Sequence, residues 1–482
     1  ADFEGIKEEL WDLLVETERE ELEGIRVFEE TGTYRGDSIN EEGCRLLGIS
    51  EDKIEEWIRG ADFEVDWDSL PHYAKGPYSN IYETMELLVM AVKENLRLLK
   101  IGKVLPTSKI PWIESRTTAI VKIAILELTG LKWRTCLDMT ASLCNGAVRK
   151  VGFGMPTVED IIALLGRNYW VVKQDLTDMF FSWKIHPSKW MIFGFQHPLT
   201  GQSYVYPVLP FGFRLSPPIS CANTQLMAEI IGEEARARAE GRDGRVALVG
   251  VLEKGIREEA LSLPMGPHPS STVYVDDFMG GARAERGCQE LADIGTEVFR
   301  LVGVTEKILK REGPFWAMVL LGFLFNVRTG ILKIPDRKAE ELRALITSVL
   351  DRAEAHQSIS WSELESLVGK LMWASTGVEL GRVYLRHVRR PGTAVSRDLK
   401  TRAARDRFCI PIWHFVEAVA ELRWWLEALK SSGGSFQWNL DETGAYRKWT
   451  WDGIVGARLP RWVIEFATDA SLRGGGGVFE YE

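Results

Sequence analysis

The sequence predicts an α+β protein, and three observations carry that prediction. In the middle of the chain two short β-branched and aromatic runs, Tyr169-Trp170-Val171-Val172 and Thr272-Val273-Tyr274-Val275, each lead to carboxylates: Asp175 after the first, Asp276-Asp277 after the second. Ahead of them, residues 1–68 are rich in acid and place Ile6, Leu10, Leu13 and Leu14 at helical spacing. Beyond Pro335 the helical period returns, with Leu342, Leu345, Ile346, Val349 and Leu350 on one face.

Composition bounds what such a chain does. With 482 residues and 45% hydrophobic content it can bury several cores, which suggests about two to four domains. The net charge of -10 argues against coating nucleic acid by bulk charge. Distribution matters more, because Arg382, Arg386, Arg389, Arg390, Arg397, Lys400, Arg402, Arg405 and Arg407 form a basic run able to bind phosphates locally. No apolar run approaches the ~20 residues that cross a bilayer; residues 85–99 come nearest and are interrupted by Lys93, Glu94 and Arg97. Membrane insertion is therefore not expected. The start Ala-Asp-Phe-Glu does not resemble a secretory signal, and its lack of Met reads as a processed or excised product. Six scattered cysteines without Cys-x-x-Cys spacing fit a reducing, intracellular setting, cytoplasmic or nuclear.

In chain order, residues 1–68 read as a solvated helical extension or a partner-docking arm. A helix is expected over 80–99, ended by Gly102, Pro106 and Pro111, and Met155-Pro156-Thr157 opens another short one. The strand ending at Asp175 follows, then an aromatic segment through Trp190, Phe193 and Phe195 that turns at Leu199-Thr200-Gly201. Residues 232–270, charged early and proline-stiffened late, read as a surface excursion. After the Asp276-Asp277 hairpin, Gly280-Gly281 reads as a breaker and residues 284–301 as an amphipathic helix with Leu291, Ile294, Val298 and Leu301 inward. Ser360-Trp361-Ser362-Glu363 is a capping box that opens a further helix, and Pro391-Gly392 marks a boundary. The tryptophans beyond it (Trp413, Trp424, Trp425, Trp438, Trp449, Trp451, Trp462) read as core packing before single-strand stacking.

The acids point to chemistry. Neighbouring side chains of a regular strand face opposite ways, so Asp276 and Asp277 converge only if a tight turn holds them. Two aspartates so crowded repel, and a divalent cation is the usual remedy, magnesium first. The plain alternative is an Asx turn, in which the carboxylates serve only the local backbone.

Three segments taken together, the strand that ends at Asp175, Leu209-Pro210-Phe211-Gly212, and Tyr274-Val275-Asp276-Asp277, resemble in this order the palm of retroelement reverse transcriptases. The resemblance covers about residues 132–322 and, more loosely, the remainder. It implies a right-hand polymerase, with fingers, a palm built on an antiparallel sheet and a helical thumb, plus a connection-like α/β region. The corresponding segments are 1–68 as an extension, 69–335 as fingers and palm with an insertion at about 232–270, 336–392 as thumb, 393–462 as connection and 463–482 as the start of a ribonuclease H-like domain.

What the resemblance implies for activity is RNA-directed, and DNA-directed, DNA synthesis. Asp175, Asp276 and Asp277 would hold two Mg²⁺ ions, with Mn²⁺ as substitute; of Lys307 and Lys310, which precede the Leu-Gly-aromatic turn, Lys310 would protonate the departing pyrophosphate. Lys132, Arg134, Leu176, Thr177, Asp178, Met179, Phe180, Phe211 and Gly212 would line the site for the incoming deoxynucleotide. Phe180 would exclude a ribose 2′-hydroxyl, with Phe181 beside it as the other candidate. Lys122 and Lys132 stand in for a second phosphate-gripping lysine that relatives carry just before Arg134. Leu321, Gly322 and Phe323 match the primer grip. Asp469 matches the first metal ligand of a ribonuclease H, and with the later carboxylates absent that activity is not expected. Partners would be an RNA template, a DNA primer, an RNA/DNA hybrid and dNTPs. The texture of Leu321-Gly322-Phe323, Gly369-Lys370-Leu371, Leu380-Gly381-Arg382 and Thr468-Asp469-Ala470-Ser471 looks more like tyrosine-recombinase retrotransposons of the DIRS type, in the broader LTR/DIRS group, than like retroviruses, with Gypsy-type elements and pararetroviruses as alternatives. Alternatives are a domesticated, inactive scaffold that binds nucleic acid, and a polymerase copying RNA into RNA.

Overall fold

The computed structural model describes residues 3–70, 84–109, 119–127, 130–140, 142–165, 169–241, 269–378, 380–391, 407–431, 435–437, 464–471 and 474–481. Helices and antiparallel sheets are mixed, as an α+β chain requires. Among the described residues no helix is long and apolar enough to cross a membrane.

The element that positions everything else is a four-stranded antiparallel sheet in the order Ser270–Tyr274, Asp277–Ala282, Trp170–Asp175, Glu312–Phe315. Val171 and Val172, on opposite faces of the Trp170–Asp175 strand, are both buried, so the sheet is covered on both sides. Helices Ser216–Ala239 and Glu285–Val302 pack against it. Gly280 and Gly281 prove to be interior strand residues and not a breaker. A Cβ at Gly280 would lie 2.5 Å from Leu291 Cδ2, and one at Gly281 2.8 Å from Leu165 Cδ2. Their missing side chains let neighbouring elements close onto the sheet at the strand beside the acids.

The Ser216–Ala239 helix opens with Pro217 and Pro218 in its first turn, where no intrahelical N–H is needed. It runs past the point at which the sequence suggested an excursion: Glu234, Ala235 and Ala237 are buried in its last turns. Residues 242–268 of that segment lie outside the described residues.

The first 70 residues are not a solvated arm. Helix Phe3–Thr31 packs along Met85–Lys100, with ion pairs from Lys93 to Glu9 and Lys100 to Glu16. Tyr34, Cys44, Ile54 and Trp57 enter the same core as the sheet, and Trp57 Nε1 donates to Asn223 Oδ1 at 2.8 Å. Local periodicity shows the helices, but their partners lie 84 residues away for Glu16 and 166 for Trp57.

A second core is built mostly from residues beyond 316, joined by Val158, Ile161, Leu165, Val171 and Met279. Strands Ala317–Leu320, Phe323–Asn326, Ile331–Lys333 and Ser435–Gln437 form an antiparallel sheet, and helices Asp336–Glu354, Trp361–Ala374 and Val416–Ser431 share one apolar interior. Ser360 caps its helix as expected, accepting from Glu363 N while Glu363 accepts from Ser360 N. Leu422, Trp425 and Leu429 are fully buried with Ile346 and Leu371. The expected break near residue 392 therefore does not separate two interiors. Trp425 donates to Tyr384 O at 2.8 Å, and Trp424 lies flat on the Tyr384 ring at 3.9 Å. Trp438, Trp449, Trp451 and Trp462 are outside the described residues. All six cysteines are free, and only Cys409 is exposed.

Candidate active site

Tyr274 pairs with Asp277, so Val275 and Asp276 form a two-residue hairpin turn. Val275 takes φ +60, a conformation that costs a β-branched residue about 1–3 kcal/mol. Its carbonyl is held by Thr224 Oγ1 at 3.0 Å, from the helix beneath. That strain places Asp276 at the tip and Asp277 at the first position of the returning strand. Across the sheet Asp277 stands directly opposite Asp175, and directly opposed residues present their side chains on one face. The end of the Asp175 strand is fixed by three backbone bonds: Leu176 N to Asp276 O at 3.3 Å, Thr177 N to Thr305 O at 2.7 Å, and Lys307 N to Asp175 O at 2.8 Å.

The cluster is electrostatically tight. Burial first, then the charges of Asp175 and Asp277, pushes the Asp276 carboxyl up to about 6. Asp277 is also raised, by burial first and then by Asp175, against the pull of Lys173 at 3.3 Å. Asp175 is buried, and Lys307 Nζ bridges both its oxygens at 3.0 and 3.1 Å. Lys310 stands farther off, 3.7 Å from one of them. Three carboxylates thus meet three ammonium groups.

Oxygen donors on a sheet suit a hard divalent cation. As the side chains stand, no three Asp, Glu, His or Cys groups among the described residues are gathered as a ready metal cage. Asp175 is turned onto Lys307 and Asp277 onto Lys173.

The residues expected around a nucleotide divide into several groups. Leu176 and Met179 are buried in the core and leave only main chain for a ligand. Thr177 spends its N–H on Thr305. Asp178 sits in the left-handed region at φ +47 and pairs with Arg97 at 2.6 Å. Phe180 is half-buried and packs 5.0 Å from Phe211, whereas Phe181 is 2% exposed and stacks on Tyr206. Of the two rings, only Phe180 retains an accessible edge. Gly212 has φ +96, and a Cβ there would lie 1.9 Å from Leu137 O, a backbone atom that cannot swing aside. The loop is clasped there by Leu137 N to Phe211 O at 2.9 Å and Asn145 Nδ2 to Gly212 O at 2.9 Å. Lys132 and Arg134 lie on strand Gly130–Asp138, opposite Ile125 and Ile123 of Ala119–Glu127, and Lys122 is opposite Thr135. The side chains of these three basic residues are outside the described residues.

Leu321 and Gly322 form the two-residue turn between Leu320 and Phe323, both with positive φ, +48 and +85. Phe323 is buried and stacks on Trp373 at 4.5 Å, and Trp373 Nε1 donates to Leu321 O at 3.4 Å, so the turn is seated on helix Trp361–Ala374. Asp469 lies in a hairpin of Ile464–Ser471 with Gly474–Tyr481, paired with Gly476, and its side chain is outside the described residues.

No protein-family model matches the chain, and no curated protein does. Solved structures do. The chain is similar to a foamy viral protease-reverse transcriptase, dRH form, in complex with double-stranded DNA: 16% identity and a TM-score of 0.48 over 81% of this chain and 59% of that one. It is also similar to foamy viral protease-reverse transcriptase with an RNA/DNA hybrid (15%, TM-score 0.46, 81% and 46%) and with double-stranded DNA (16%, TM-score 0.48, 92% and 77%). Of the first of these the chain spans 59% of the length.

Sequence reasoning missed two features. Arg97, on helix Met85–Lys100, holds Asp178 and is itself held by Glu94 at 2.8 and 2.9 Å. Nothing in the local sequence links residues 81 positions apart. Lys307 was passed over for Lys310, yet lies closer to Asp175. A signal did exist: Glu306 and Arg311 flank both lysines, and an acid and a base at that separation suggest a clasped turn. Buried Glu306 accepts from Gln174 Nε2 at 2.9 Å, Thr296 Oγ1 at 2.6 Å and Arg311 Nε at 3.0 Å. Burial pushes the Glu306 carboxyl up, and the Arg311, Thr296 and Gln174 bonds outweigh it and hold it below the usual range.

Proposed function

We propose that the chain is a DNA polymerase of retroelement type, copying RNA and DNA templates by transferring nucleotides from dNTPs to a primer 3′-hydroxyl. The observation that carries this is the register of Asp175 opposite Asp277 with Asp276 in the adjoining turn. Such a set matches what two-metal nucleotidyl transfer asks of a protein. Bound Mg²⁺, or Mn²⁺, would lower the pKa of the primer hydroxyl and neutralise the triphosphate. Asp175, Asp276 and Asp277 would supply the oxygen ligands.

The other residues position and exclude. Phe180 presents its outer edge where a sugar would lie, and Gly212, whose open side is filled by the Leu137 carbonyl, would serve by seating the loop that carries Phe211 and not by meeting a ligand itself. Lys310, 52% exposed, would swing toward a leaving pyrophosphate. The Leu321-Gly322 turn would support the primer end. Arg382, Arg386 and Arg389 are exposed on the helical side and would follow the phosphates of an RNA/DNA or DNA duplex. In this assignment the central sheet is the palm, the hairpin of residues 119–138 belongs to the fingers and the helices after 335 form the thumb.

The test is extension of a DNA primer on RNA and on DNA templates by the purified chain. Deoxynucleotide addition on both, dependent on Mg²⁺ or Mn²⁺, is the expected result. Duplex binding without extension would favour an inactive scaffold, and extension with ribonucleotides alone would favour an RNA polymerase.

A further inference from the structure

Lys307 is unusual for a lysine beside an acidic cluster, because its place is set by the backbone. Leu176 and Glu306 form a bridge, Thr177 N bonds Thr305 O, and Lys307 N bonds Asp175 O, so residues 305–307 extend the sheet edge. The buried Glu306 side chain, tied to Gln174, Thr296 and Arg311, locks that segment from the other side. Lys307 itself is 19% exposed, against 52% for Lys310. Both oxygens of Asp175 are engaged by its ammonium group. A lysine so placed does not drift into the site from solvent.

We propose that Lys307 is a built-in counter-cation of the acidic cluster, competing with a divalent ion for the two oxygens of Asp175. An ion entering the site must first draw Asp175 away from Lys307, and the Glu306–Arg311 clasp keeps the ammonium at hand to return. Without the phosphate oxygens of a nucleotide, divalent binding is therefore weak, and the cluster tolerates its own charge through Lys307. This inference rests on the polymerase assignment above, and it also accounts for the lack of a ready cage among the carboxylates as they stand.

The experiment is a Mn²⁺ titration followed by electron paramagnetic resonance, on the full chain without nucleotide or nucleic acid. Wild type, Lys307→Met, Lys307→Gln, Lys307→Arg and Asp277→Asn are compared, each checked for folding by circular dichroism. Removing one adjacent positive charge is worth about one pKa unit or more of interaction at such a site, so Lys307→Met and Lys307→Gln should bind Mn²⁺ about tenfold tighter than wild type. Lys307→Arg should bind no tighter than wild type. Equal or weaker binding by folded Lys307→Met or Lys307→Gln overturns the proposal, as does absence of binding in every variant. If wild type and Asp277→Asn bind Mn²⁺ alike, the metal assignment itself fails, an outcome distinct from failure at Lys307 alone.

Discussion

Asp277→Asn is expected to give a chain that folds, binds primer and template, and adds almost no nucleotide. The substitution keeps the size and shape of the side chain and removes one charge from the position opposite Asp175. Loss of a preorganised charge aimed at the reacting groups costs about two to three orders of magnitude in rate. Stability should change little. Burial already disfavours the Asp277 anion, so neutralising it relieves repulsion from Asp175 and Asp276 while forfeiting the 3.3 Å contact with Lys173. Gel-resolved extension and fluorescence anisotropy of labelled duplex separate the two properties. Extension by the variant at more than about a hundredth of the wild-type rate would remove Asp277 from the catalytic set.

Phe180→Ala should admit ribonucleotides. The ring is held on one side by Phe211 at 5.0 Å and is only half-buried, so its outer edge is a wall and not a core contact. Cutting it to a methyl removes the steric barrier to a 2′-hydroxyl, and a pocket that has lost such a barrier discriminates against one added hydroxyl by about a hundredfold at most. Phe181→Ala is the control. It lies in the core against Tyr206 and Phe211, so its truncation should cost about 3–5 kcal/mol of stability and leave sugar selection as it was. Single-nucleotide incorporation of matched dNTP and rNTP measures both. Unchanged ribonucleotide exclusion in Phe180→Ala would assign the gate elsewhere.

How much of this was legible in the sequence depended on whether the determining contact was local. The strand ending at Asp175 and the Ser360 capping box are each encoded within a few residues and appear where the sequence put them; the acidic hairpin is also there, but its turn is Val275-Asp276, so Asp277 opens the returning strand instead of sharing the tip. Gly280 and Gly281 were misread, since a glycine pair signals a turn locally but here makes room for Leu291 and Leu165, which no window contains. The first 70 residues were misread for the same reason: Trp57 finds Asn223, and Cys44 and Ile54 join a core assembled from distant segments. Within the site, spacing from the Leu-Gly-aromatic turn favoured Lys310, whereas the pairing of residues 305–307 with the strand end decides for Lys307 as the nearer group. At residues 391–392 Pro-Gly says nothing about which core the following helix joins, and Val416–Ser431 shares its interior with Asp336–Glu354 and Trp361–Ala374.

In the proposed polymerase, Asp175, Asp276 and Asp277 would hold divalent ions together. Anomalous diffraction from crystals of the chain with primer, template, dNTP and Mn²⁺ tests it most directly. Two manganese peaks are expected a few ångströms apart, touching oxygens of Asp175 and Asp277, with Lys307 moved off Asp175. Bound nucleotide with no manganese between those two aspartates, or with Lys307 still bridging Asp175, would contradict it.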